Sequence, residues 1–149
     1  MTLVRAVILG VLTVVLYKAS LYSIRVEGIS MLPNYRDGQR NFIFRLAYKR
    51  YGPQRGDVVG VRFAGPHVMY LKRVVGLPGE KVWFSKGHVM VNGAPIPEPY
   101  LKWPTNWESE PVELGPDDFF VVGDNRTMPI NQHDHGIATR ERILGKLLL

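Results

Sequence analysis

Cysteine is absent from the 149 residues, which excludes a disulfide scaffold, a cysteine-ligated zinc site and a cysteine nucleophile before any motif is considered. Helical periodicity is also scarce. After Ser23 no stretch of any length repeats its apolar residues at helical spacing, and there is no internal repeat. Long apolar runs are limited to one, at the N-terminus. Acidic residues are the minority, 13 against 19 Lys and Arg, for a net charge of +6. What is abundant is apolar surface and turn chemistry: 46% of residues are apolar, with 15 Gly and 11 Pro, the composition of a folded chain rich in β-structure. The length suits one domain, or one domain with a membrane anchor, rather than two independent cores.

The positive charge is concentrated. Ten bases fall in residues 25–73 against Glu27, Asp37 and Asp57, while residues 74–149 are net acidic. Such a block suits an anionic surface, either nucleic acid or lipid. No nucleic-acid motif or interleaved aromatics accompany it, so no nucleic-acid partner is expected. Contact with anionic headgroups accounts for it better, given what precedes it.

Residues 3–22 read LVRAVILGVLTVVLYKASLY. The uncharged core, Ala6 to Tyr17, would span only about 18 Å as helix, but all twenty residues reach about 30 Å if Arg5 and Lys18 snorkel to the headgroups. Three readings fit: a single-span anchor, a cleaved signal peptide, or a buried helix. The anchor is favoured because Lys18-Ala19-Ser20-Leu21 makes a poor cleavage site. The expected division is an anchor over residues 1–24 and a β domain over 25–149.

In that domain, short β-rich runs alternate with turn signals: Asp57 to Phe63, Val68 to Val75, Lys81 to Phe84, His88 to Val91, Asp118 to Val122 and Ile143 to Leu149. Asn92-Gly93 is a hairpin turn signal, and Pro95, Pro97 and Pro99 predict an extended loop. Residues 98–118, acidic and carrying Trp103 and Trp107, read as a surface loop. The expected fold class is mostly β, an antiparallel, barrel-like domain with one N-terminal transmembrane helix.

Three segments can carry chemistry. In VEGISMLP (Val26 to Pro33), Gly28 and Pro33 flank Ser30 on backbone that leaves a strand and turns sharply, exposing the hydroxyl and the adjacent N–H; an ordinary β-turn is the competing reading. In YLKRVVGLPGE (Tyr70 to Glu80), Lys72 interrupts an apolar strand. If half-buried there, its ammonium loses hydration and its pKa falls; if the strand alternates, it points to solvent. In FFVVGDNR (Phe119 to Arg126), a strand runs into a Gly-Asp-Asn turn. Among the four histidines, His67 and His88 read as solvated turn residues. His133-Asp134-His135 offers two rings on one face, which is half a metal site, so no metal or other cofactor is expected.

Together, in this order and downstream of an anchor, these segments resemble the bacterial type I signal peptidase family, membrane-bound Ser/Lys peptidases. RGDVV (Arg55 to Val59), VMVNGAPIPEPYL (Val89 to Leu101) and a final ILGK extend the resemblance along essentially the whole chain. It implies an endopeptidase that removes N-terminal signal peptides from exported preproteins after small residues at the positions one and three before the cut. Ser30 would be the nucleophile and contribute its N–H to the oxyanion hole, with Lys72 as general base. Val26, Met31, Tyr70 and Leu71 match substrate-lining positions. Gly28, Pro33, Gly123 and Asn125 support the site, and Arg73 and Asp124 match a pair expected to form a salt bridge. Gly28 stands where some relatives have a serine that supplies a second oxyanion donor. The resemblance places the domain on the extracytoplasmic side of the cytoplasmic membrane, with the bilayer and preprotein signal peptides as partners.

One stretch departs from the family. The serine expected to orient the catalytic lysine is matched by Pro129, and the motif after it is replaced by Asn131-Gln132-His133; Thr127 is the nearest substitute hydroxyl. The departure keeps two alternatives in view: a maturation peptidase with few substrates, and an inactive membrane-tethered binding module.

Overall fold

The computed structural model describes residues 2–62 and 69–148, the side chain of Ala19 excepted; His67, Val68 and Leu149 fall outside the described residues. The chain begins with helix α1 (Leu3–Ser20), whose apolar residues are exposed around its whole circumference. A helix apolar on every side has no face for water, and this one is not covered by the rest of the protein. Its 18 residues extend about 27 Å and carry Arg5 and Lys18 near the ends. Among the described residues no helix is long and apolar enough to cross a membrane. The expected transmembrane span is corrected accordingly, because Leu21 and Tyr22, counted as its last residues, belong to a strand.

That strand is β1 (Leu21–Arg25), which follows α1 without a linker and pairs with β2 (Arg40–Phe44). The chain continues through β3 (Val58–Val61), β4 (Tyr70–Gly76), β5 (Lys81–Ser85), β6 (His88–Val91), β7 (Ala94–Pro95), β8 (Val112–Glu113), β9 (Asp118–Val122), β10 (Gly136–Thr139) and β11 (Ile143–Leu148). A seven-stranded sheet has the order β1-β2-β11-β3-β4-β9-β10, and a four-stranded sheet the order β7-β6-β5-β8. Every pairing is antiparallel. The domain is thus mostly β, as expected, but its described strands form two open sheets rather than a closed barrel.

Asn92 and Gly93 both take positive φ, 49° and 94°, the backbone of a two-residue hairpin turn matching strand twist. The reading of residues 98–118 as surface loop is corrected. Trp107 is buried among Phe84, Phe120 and Val122, and Val112–Glu113 adds a strand to the small sheet. Glu98 is drawn inward because it accepts hydrogen bonds from Arg126 at 2.7 Å and Tyr100 at 2.8 Å.

The position of β4 decides the chemistry. It lies between β3 and β9, so neither edge faces water, and its burial does not alternate: Leu71, Lys72, Val74 and Val75 are all buried. Lys72 stands opposite Val59 in the ladder, and neither is accessible to solvent.

Candidate active site

The Ser30 turn grows out of the β1–β2 ribbon. Backbone bonds from Val26 to Gln39 and from Gly38 to Val26 extend the ladder past Arg25 before the chain breaks away. Gly28, at φ 87°, takes the left-handed bend, and its N–H is held by Asp37 Oδ1 at 2.9 Å. Ser30 follows, half-buried, and Met31 sinks into the core beside Val26, Tyr35 and Leu71. Pro33 closes the turn through a cis bond from Leu32.

The Gly123-Asp124-Asn125 turn, on leaving β9, clamps this segment. Asn125 donates its backbone N–H to the Ser30 carbonyl at 2.9 Å and its side-chain amide to the Ile29 carbonyl at 3.0 Å. Gly123 is required by the fit: a Cβ there would meet the Ser30 carbonyl oxygen at 2.2 Å and His133 Nε2 at 2.6 Å. Asp124 receives Arg73 in a two-pronged ion pair, Nε to Oδ1 at 2.8 Å and a terminal nitrogen to Oδ2 at 2.6 Å. Asn34 also donates to Asp124 at 2.8 Å, and the Arg73 guanidinium lies 4.0 Å over the Tyr100 ring. Since Arg73 neighbours Lys72 on β4, the pair fixes the lysine-bearing strand to the turn that grips Ser30.

Lys72 is fully buried, and its Nζ makes no hydrogen bond within the described structure; the Tyr70 ring is 5.6 Å away. Loss of hydration lowers its pKa from 10.5 to about 8, opposed by the negative charge of Asp134. The buried alternative for this lysine is therefore the one realised. Val26, Tyr70 and Leu71 line a groove of about 340 Å³ with Met69, between the β1 ribbon and the start of β4. Met31 does not line this groove; it is fully buried in the same apolar cluster as Val26 and Leu71.

Thr127 does not replace the missing orienting serine. It is exposed, and its hydroxyl donates to Asn125 Oδ1 at 2.7 Å. The His133 and His135 rings lie 6.0 Å apart and both pack on Trp107, and His133 is buried with its ring 5.0 Å from that of Trp107. Residue-level reading also missed Arg126. Fully buried, it pairs with Glu98, donates to the Gly123 carbonyl at 2.7 Å, and lies over Phe84 and Trp107. Its signal was available in GDNR and PIPEPY, but nothing local says that the two motifs meet.

The chain is similar to known proteins along its whole length. The model of a family described as signal peptidase, peptidase S26, matches residues 1–149. A signal peptidase I from Bacillus licheniformis is 32% identical over 155 residues, covering 95% of this chain and 83% of its own. A probable signal peptidase I-2 from Synechocystis is 33% identical over 81% of this chain, which spans 58% of that relative's length; for the Leptolyngbya laminosa signal peptidase I the share is 63%. The crystal structure of a signal peptidase I from Enterococcus faecalis superposes with a TM-score of 0.51 at 24% identity, over 64% of this chain and 97% of the other, a likeness of fold.

Proposed function

Because the chain belongs to the signal peptidase family, peptidase S26, we propose that it is a membrane-held serine endopeptidase that cleaves signal peptides from preproteins, with Ser30 as nucleophile and Lys72 as general base. The observation that carries this reading is the fully buried, unpaired Lys72 amine, with its pKa lowered to about 8, on a strand tied through Arg73 and Asp124 to the turn that grips Ser30. A lysine so placed is neutral in a useful fraction of molecules near neutrality. It takes the Ser30 proton as Oγ attacks the scissile carbonyl, then returns a proton to the leaving amine. The Ser30 N–H faces the oxyanion. Water, activated by the same amine, releases the acyl group and regenerates the hydroxyl.

The groove beside Val26, Met69, Tyr70 and Leu71 suits an extended peptide with small side chains before the cut, its buried apolar residues Ile24, Val26 and Leu71 lying beside the exposed Ser23, Arg25 and Glu27. Helix α1 lays its exposed apolar surface against the bilayer, and the basic block of residues 25–73 meets anionic headgroups. The catalytic domain then stands on the extracytoplasmic face, where signal peptides emerge.

The test is cleavage of a preprotein carrying Ala one and three residues before its cut. Ser30→Ala and Lys72→Ala should each abolish processing, and labelling by an acylating penem should require Ser30. Cleavage retained by Lys72→Ala would reject the dyad.

A further inference from the structure

A neutral lysine that receives a proton from serine still has N–H groups to satisfy, and inside a protein an unpaired donor is costly. Around Lys72 the obvious acceptor is missing: position 129 is proline, and the Thr127 hydroxyl is bound to Asn125. Among the described residues two other side chains in this neighbourhood carry buried atoms without a partner: Arg126, whose free Nη1 can only donate, and His133, which can also accept. Both ring nitrogens of His133 lack a hydrogen-bond partner among the described residues. The ring is enclosed by Trp107, by Gly123 and by the Ser30 carbonyl, and the absence of a side chain on Gly123 is what leaves room for Nε2 next to that carbonyl. The segment carrying it is fixed from both sides. The Trp107 indole donates to the Met128 carbonyl at 2.8 Å, and the His133 carbonyl is in hydrogen-bond contact with His135 Nδ1 at 2.6 Å.

We propose that His133 is a positioning residue for the Ser30–Lys72 pair: its neutral imidazole, held against the Ser30 carbonyl, supplies the acceptor that the Lys72 amine lacks. The inference rests on the peptidase reading above. Neutral imidazole always has one donor and one acceptor nitrogen, so it can face the carbonyl with N–H and the amine with its lone pair. The two groups are not hydrogen-bonded to each other in the free protein, so this contact is assigned to the substrate complex, where catalytic hydrogen bonds commonly tighten. Its charge state is suited to this. Burial first, then Lys72, His135 and Arg126, lower its pKa to about 3 against the opposing effect of the Ser30 backbone, so the ring is neutral near neutral pH. A conjugate acid that strong also makes the ring a poor general base, which leaves that role to Lys72. The charged and titratable groups acting on the pair are Asp134 on Lys72, and Lys72, His135 and Arg126 on His133.

The experiment measures kcat, KM and the acid limb of the pH profile for the full chain in detergent, in wild type, Ser30→Ala, His133→Phe, His133→Asn and His133→Gln. Phe keeps the bulk and removes both nitrogens. We expect kcat to fall about ten- to a hundredfold with KM little changed, the range of one lost hydrogen bond to a reacting group. The acid limb should move to lower pH, because Lys72 stays dry while losing an acceptor that favours its ammonium form. Asn or Gln, which place an amide oxygen near Nδ1 or Nε2 respectively, should restore most of the rate. Wild-type kcat in His133→Phe would overturn the proposal, as would an acid limb moved upward, the mark of water reaching Lys72. If Phe disrupts the fold, as read by its urea midpoint, the two amides decide: recovery by one supports the proposal, and equal loss in both overturns it. Ser30-dependent cleavage with indifferent His133 variants rejects this inference alone. Cleavage that survives Ser30→Ala rejects the peptidase reading, and this inference with it.

Discussion

Lys72 is held in a form that the folded state disfavours. In the unfolded chain it titrates near 10.5 and in the folded one near 8, so between these values the unfolded state binds more protons and stability rises with pH. Below pH 8 both forms are charged and the whole burial penalty, roughly 3 kcal/mol, is present. Lys72→Met should therefore be inactive yet more stable than wild type at pH 7, by about 1–3 kcal/mol in urea unfolding, with the difference shrinking above pH 8. Activity should depend on the neutral amine, so kcat/KM should rise with pH to an inflection near 8. Asp134, which is exposed and favours the ammonium, should shift that inflection slightly downward on change to Asn; an upward shift in the pH–rate profile would contradict the assignment. The sequence around Lys72 allowed either a buried or a solvent-facing lysine. What decided between them is the placement of β4 between β3 and β9, a long-range fact. His133 was less legible still, because its burial depends on residues 127–135 packing onto Trp107 from a segment that itself read as exposed loop.

At the scale of elements, the site is a meeting of two turns and one strand. Gly123→Ala tests it with the smallest possible change: the added methyl overlaps the Ser30 carbonyl, and neither backbone can yield without moving Ser30, the proposed nucleophile. We expect at least a hundredfold loss of kcat/KM, a displacement equivalent to about 3 kcal/mol at the transition state, from a variant that still folds by circular dichroism. The strands were unequally legible. His88–Val91 and Asp118–Val122 were readable to the residue because an asparagine-glycine turn and a Gly-Asp-Asn turn mark their ends. β2 was missed because its pattern is inverted: Asn41 and Ile43 point inward, while Phe42 is half exposed. β1 was hidden by continuity with the helix, β8 is too short to show alternation, and β10, reading GIAT, has no bulky apolar residue besides Ile137, which is exposed.

For the molecule as a whole, the exposed Phe42 and the bare helix belong together. Thr13, Val14, Tyr17, Leu21 and Phe42 line one apolar recess at the junction of α1 and the large sheet. An apolar helix joined to an apolar corner of the domain forms one continuous apolar surface; if that surface meets lipid, as proposed, the full chain should float with phosphatidylglycerol-containing vesicles in a density gradient. Ile8→Asp with Leu12→Asp, one helical turn apart, should leave it in the aqueous fraction. Unchanged flotation would mean that α1 is not what holds the protein to lipid.

The direct passage of α1 into β1 also works as a ruler. Ten residues separate Ser20 from Ser30, so the proposed nucleophile can lie no more than about 35 Å from the end of the helix, and less because half of those residues are pleated into a sheet. With no slack linker, a substrate cannot be reached by stretching the enzyme; it must bring its own cut site to that height. Preproteins with a polar spacer of increasing length between apolar segment and cut should thus be processed well up to a threshold and poorly beyond it. Glycines inserted between Ser20 and Leu21 should move that threshold outward.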